Sequence, residues 1–103
     1  MIYATKSELE IITDIIERHA PHCVVFVFGS RYRGNHKKYS DLDLAFMLPN
    51  KERLGLKRIG QLEYAFMESN LPYRVDVLDY NAISPEFRAV IDAGNSVLLF
   101  PKT

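Results

Sequence analysis

Apolar residues recur along this chain in two rhythms, one helical and one strand-like, and polar breaks separate them. Thr5-Lys6-Ser7-Glu8 has the form of a capping box at a helix start. Leu9, Ile12, Ile15 or Ile16, and His19 follow at helical spacing. Pro21 ends that helix by disfavouring helical geometry at Ala20. Cys23-Val24-Val25-Phe26-Val27-Phe28 is short, continuous and rich in β-branched and aromatic residues, the pattern of a strand buried on both faces. Gly29-Ser30 breaks it ahead of a predicted helical turn, and a polar, basic stretch runs from Arg31 to Ser40. A second strand is predicted over 41–48, stopped by Pro49-Asn50. A helix is predicted over 52–69 on Leu56, Ile59, Leu62 or Glu63, and Phe66, weakened by Gly55 and Gly60 and closed by Asn70-Leu71-Pro72. Tyr73-Arg74-Val75-Asp76-Val77-Leu78 reads as a third strand. Ser84-Pro85-Glu86 supplies an N-cap, a first-position proline and a first-turn acid for a helix ending near Gly94. Ser96 to Phe100 is a final strand. The order αβ-βαβ-αβ predicts an α+β fold, a small mixed β-sheet with helices packed on it. No repeat, low-complexity segment or linker interrupts it, so residues 1–103 read as a single domain.

Composition narrows the function classes. Thirteen basic and thirteen acidic residues cancel. A protein that wraps a polynucleotide carries a basic excess, so no direct polynucleotide binding is expected. The single cysteine, Cys23, excludes an internal disulfide, and its place in an apolar run predicts a buried free thiol suited to a reducing compartment. The N-terminus lacks the basic tip and apolar run of a leader, and no apolar run is long enough to cross a membrane. A cytoplasmic protein without membrane contact is expected.

Candidate chemistry starts in the second strand. Alternation puts Asp41 and Asp43 on one face, with Leu42 and Leu44 on the other. Two neighbouring carboxylates repel unless a cation lies between them, and hard cations such as Mg²⁺ prefer oxygen ligands. Alone, the pair also reads as a solvated strand edge or a turn. Asp76 adds a third carboxylate, flanked by Val75 and Val77 in an interior-looking strand. A charge there needs a cation or firm hydrogen bonds, and Arg74, on the same strand face, could supply an ordinary ion pair. Gly29-Ser30 follows a strand, where glycine allows a phosphate to approach the backbone and serine can donate to it. The same dipeptide is common in any turn. Arg31, Arg33, His36, Lys37 and Lys38 read either as a solvated basic loop or as a local positive field around a triphosphate. His19 reads as a partly buried core edge, Cys23 as packing, His22 as structural or exposed, and Asp79 as a turn start.

Taken together, Gly29-Ser30, ten residues, Asp41-x-Asp43 and then Asp76 in a hydrophobic strand resemble the DNA polymerase beta nucleotidyltransferase superfamily. The strings Gly29-Ser30-Arg31-Tyr32-Arg33-Gly34 and Tyr39-Ser40-Asp41-Leu42-Asp43-Leu44 resemble its minimal nucleotidyltransferase (MNT) branch, and the resemblance covers nearly the whole chain. It implies a nucleotidyltransferase core that moves a nucleoside monophosphate, AMP from ATP, to an acceptor with two Mg²⁺ ions. It implies that Asp41, Asp43 and Asp76 are the catalytic, metal-binding acids and that Gly29, Ser30 and, more weakly, Arg31 bind the nucleotide phosphates. It further implies an antitoxin that adenylylates a tyrosine of a small all-helical HEPN ribonuclease toxin. Larger relatives carry a further domain, so a partner or a dimer is expected to complete the site. The alternatives are a non-catalytic antitoxin that works by binding, and a transferase for small molecules of the aminoglycoside type.

Overall fold

Thr5 caps the first helix as its sequence predicts. Its hydroxyl accepts from the Glu8 N–H at 3.1 Å, and the Glu8 carboxylate accepts from the Thr5 N–H at 3.0 Å, so two donors with no partner inside the helix are satisfied. This helix, α1, spans Lys6–His19 in the computed structural model, which describes residues 2–101. The chain continues through β1 (Val24–Phe28), α2 (Ser30–Arg33), β2 (Leu42–Met47), a 3₁₀ turn at Pro49–Lys51, α3 (Leu56–Met67), β3 (Val75–Asp79), α4 (Pro85–Asp92) and β4 (Ser96–Phe100). Among the described residues, no helix is long and apolar enough to cross a membrane.

The strands form one mixed sheet in the order β3-β2-β1-β4. β1 runs antiparallel to β2 and β4, and β2 runs parallel to β3. Parallel neighbours need a crossover, and α3 provides it. One face of the sheet carries Val25, Val27, Leu42, Leu44, Phe46, Val75 and Val77, which pack with Ile12, Ile15 and Ile16 of α1 and Leu62 and Phe66 of α3. Removing this continuous apolar face from water holds the layers together.

The structure departs from the sequence expectations in three places. β1 is not buried on both faces: Val25 and Val27 are fully buried, whereas Val24, Phe26 and Phe28 are half-covered. The core containing α1 and α3 lies on one side, and on the other Phe28 meets Phe87 of α4 edge-on at 5.9 Å. Next, α3 starts at Leu56 rather than near residue 52, with Gly55 as its N-cap at φ +89°, and Leu56 is 88% exposed. The Asp79 carboxylate accepts from the Leu54 N–H at 2.7 Å, and the Asn81 side-chain amide donates to Leu48 O and Glu52 O. These bonds keep residues 52–54 out of the helix. Finally, β3 is an edge strand, so Asp76 is not in the sheet interior.

Asp79 starts a turn, as expected, by accepting from the Asn81 N–H at 3.2 Å, yet it is 5% exposed and holds a distant segment as well. Asp79→Ala is expected to leave the buried Leu54 N–H unpaired and cost about 1–3 kcal/mol. Asp79→Asn keeps an acceptor oxygen and should lose less. Urea unfolding of the two variants beside the parent checks the ranking.

Candidate active site

Strand register gathers the acids. Phe28 lies opposite Asp43 across β1 and β2, and Asp43 lies opposite Asp76 across β2 and β3. Asp41 stands just before β2, with the fully buried Leu42 between the two carboxylates. Asp41, Asp43 and Asp76 therefore meet on the face that the main core leaves free.

The Gly-Ser turn arrives at the same point. Gly29 follows β1 at φ +74°, a conformation that side chains rarely adopt. A Cβ on Gly29 would overlap Asp43 Oδ2 and stand 3.1 Å from Asp43 Cγ. Glycine is required here twice, for its dihedral angle and for the space the carboxylate fills. The Gly29 carbonyl accepts from the Tyr32 and Arg33 N–H groups, which starts α2 at Ser30. Backbone, serine and central carboxylate thus share one corner.

Arg74 balances much of this negative charge. Its Nη2 lies 3.1 Å from Asp41 Oδ2 and 3.2 Å from Asp76 Oδ1. The ion pair weighed from sequence exists, and it joins two acids instead of one. The Arg74 side chain is 74% exposed, and those of Asp41 and Asp76 are 40% and 41% exposed. At Asp43, burial, then the Asp76 carboxylate beside it, which is close enough to share a proton, and then Asp41 push the pKa from 3.8 to about 6, with Arg33 pulling the other way.

Arg31 requires a correction. It was expected to hold phosphates, but it is 4% exposed and its donors are directed elsewhere. The guanidinium donates to Ser40 O at 2.9 Å, Lys38 O at 2.9 Å and Tyr3 O at 3.0 Å. It also lies 3.7 Å from the centroid of the Tyr73 ring, a cation–π stack. Burial and the hydrogen bond from the Tyr73 hydroxyl to Glu8 push the Tyr73 pKa up. Arg31 therefore anchors the loop that delivers Ser40 and Asp41. No local pattern announces this role, because its partners Tyr3 and Tyr73 are distant in sequence. In the rest of the basic stretch, Arg33 acts electrostatically on Asp43, His36 packs near Tyr3 at 5.3 Å between ring centroids, and Lys38 lies 5.3 Å from the Tyr39 ring centroid. His19 is half-buried, and Cys23 is a buried free thiol whose pKa burial pushes up.

Could these acids hold divalent cations? Among the described residues, no three His, Cys, Asp or Glu side chains stand together as a ready metal-holding group. Two of the three acids are instead paired with the cationic head of Arg74. The donors are all carboxylate oxygens, the type Mg²⁺ takes, and a cation already bridges two of them. Asp41, Asp43 and Asp76 fit such ions by donor chemistry.

The family model described as Polymerase beta, Nucleotidyltransferase matches residues 10–102. A probable protein adenylyltransferase, MntA of Haemophilus influenzae, is 45% identical over 86 residues, covering 84% of this chain and 74% of that protein. Among solved structures, a toxin–antitoxin with AMP-PNP superposes with a TM-score of 0.75 at 20% identity, covering 92% of this chain and 74% of that one. The toxin–antitoxin MntA-HepT superposes with a TM-score of 0.69 at 17% identity, covering 95% and 74%. At these identities the two structures establish likeness of fold.

Two outcomes follow from the geometry. Gly29→Ala combines backbone strain with a clash on Asp43 and should destabilise by roughly 2 kcal/mol or more, read as a lowered urea midpoint. The second concerns pH. A folded pKa near 6 against 3.8 means that the native state holds the Asp43 proton more tightly, so stability falls as pH rises through that window. In chelator, Asp43→Asn should exceed the parent by roughly 1–2 kcal/mol above pH 7, after allowing for solvent screening. The gap should close near pH 4. Unfolding curves across pH 4–8 test this, and a pH-independent gap would contradict it.

Proposed function

The chain belongs to the polymerase beta nucleotidyltransferase family, and from that membership we propose that it is a protein adenylyltransferase, an antitoxin that transfers AMP from ATP to a tyrosine of a HEPN-type toxin. The observation that carries the reading is the fit of Gly29 against Asp43. It sets the Gly-Ser turn directly against Asp43, the acid that lies opposite Asp76 in the sheet. A pure binding module has no use for that arrangement. The likeness to the MntA adenylyltransferase supplies the nucleotide and the protein acceptor.

On this reading the turn at Gly29 and Ser30 holds the β- and γ-phosphates, with the Ser30 hydroxyl donating to a phosphate oxygen. Asp41, Asp43 and Asp76 would hold the Mg²⁺ ions. The ions, when bound, offset charge on the α-phosphate and on the leaving pyrophosphate. Asp76 orients the acceptor hydroxyl in line with the bond to be broken. The new bond joins the tyrosine oxygen to the α-phosphorus, and the bond from the α-phosphorus to the bridging oxygen breaks. Pyrophosphate leaves, and the tyrosine proton passes to a neighbouring base or to water. Arg31 acts at a distance by fixing the Ser40 carbonyl next to Asp41. All three acids and the Gly-Ser turn lie within this one domain, residues 1–103, and the protein acceptor supplies the rest of the site.

The test incubates the protein with Mg²⁺, its genomic-neighbour protein and α-labelled ATP, GTP, CTP or UTP in turn. Label from ATP should appear on a tyrosine of the neighbour and fall at least about a hundredfold in Asp41→Asn/Asp43→Asn. Equal labelling by that variant, or a stable complex of the two proteins with no labelling at all, would refute the proposal and favour silencing by contact.

A further inference from the structure

We propose that Arg74 is a resident counter-cation that competes with divalent ions for Asp41 and Asp76, so that the site loads only after the guanidinium withdraws. The inference rests on the reading of these acids as the cation-binding set.

The geometry gives Arg74 an unusual place. Arginine on a protein surface commonly pairs with one carboxylate through its planar fork. Here a single nitrogen, Nη2, lies within 3.1 Å of Asp41 and 3.2 Å of Asp76. Asp41 stands just before β2 and Asp76 lies in β3, directly opposite Asp43. The guanidinium therefore occupies a bridging position between carboxylates, the kind of place a bound cation takes. A divalent ion approaching the same two carboxylates would meet its positive charge and be repelled.

The competition is of a strength that can be reversed. With 74% of its side chain exposed, Arg74 makes the type of ion pair that contributes little individually. Its stem is also free of burial that would trap it. Beside it lies a cavity of about 560 Å³, lined by Glu63, Phe66, Met67 and Leu71 together with Arg74 and Asp76. The cavity gives the side chain room to turn away, and Glu63 gives it an opposite charge to turn towards. When no ion is bound, Arg74 limits the repulsion within the acidic row. When an ion is bound, that service is redundant.

The probe is Mn²⁺ alone, without nucleotide, titrated calorimetrically into chelator-stripped protein. Removing one nearby positive charge at a solvent-exposed site should tighten Mn²⁺ binding about three- to tenfold in Arg74→Gln. Stoichiometry should stay the same. Arg74→Lys, whose compact ammonium lacks the planar fork, should fall between the parent and Arg74→Gln, and it serves if the glutamine variant folds poorly. The metal-free melting temperature should drop in Arg74→Gln while its rise on adding Mn²⁺ becomes larger than the parent's. A residue with a merely structural role would lower the first without enlarging the second. If the parent binds Mn²⁺ and neither variant binds it more tightly, the counter-cation role is overturned while the acidic site stands. If no form binds Mn²⁺, and Asp41→Asn/Asp43→Asn is indistinguishable from the parent, both the role and the cation reading are overturned.

Discussion

Three carboxylates that repel one another are held in a single corner of the sheet, and much of the fold acts to keep them there. Asp43 faces Asp76 only because β2 and β3 run parallel in one register. That register is fixed from the opposite face, where Leu42, Leu44, Val75 and Val77 are buried in the core. A slip of one residue would turn the acids into the core and the apolar side chains towards water. The burial of four apolar residues thus sets the position of three charged ones. Local devices then reduce the repulsion that remains. Arg74 joins Asp41 to Asp76, Arg33 lowers the cost of ionising Asp43, and the missing side chain of Gly29 leaves space for the carboxylate.

Local signals made much of this legible in the sequence. The Thr5 box, the Ser84 cap and the final strand follow from nearest-neighbour chemistry, and each forms where the residues predict. The order of helices and strands was readable for the same reason. Element boundaries failed where distant residues intervene. Nothing between Glu52 and Leu56 reveals that Asp79 and Asn81 will capture Leu54, Leu48 and Glu52 and delay the helix. The apolar run of β1 looks buried on both sides because a continuous pattern cannot state which face the helices will cover. Asp76 looked interior because its valine neighbours are, yet strand order decides exposure, and order is a property of the whole sheet.

The two arginines make the same point at the site. Both were noticed from sequence, Arg31 as a phosphate contact and Arg74 as an ion-pair partner of Asp76. Arg31 lies next to the Gly-Ser turn in sequence, yet its side chain points to Tyr3, Lys38, Ser40 and Tyr73, where three carbonyls and an aromatic face compensate its buried charge. Its bond to the Ser40 carbonyl fixes the backbone just before Asp41. Arg74 precedes an edge strand, and its exposed head is free to reach across to a neighbouring strand's acid. Sequence proximity to a motif was a poor guide to function, and proximity in the sheet was the better one.

The position of β3 also gives the proposed reaction a direction. The Gly29–Ser30 turn enters the acidic corner from the β1 side of Asp43, whereas Asp76 lies on the outer strand with the Arg74–Glu63 cavity beside it. A triphosphate held at the turn would therefore leave the β3 side open to an acceptor. An outer strand can be approached by a protein surface without displacing any part of the sheet. The zero net charge of the chain fits this division: a protein acceptor needs no global positive field, and the basic residues that matter act over a few ångströms. On the proposed reading the acceptor would meet the acids from this open side, and the register of β2 and β3 keeps them in place for it.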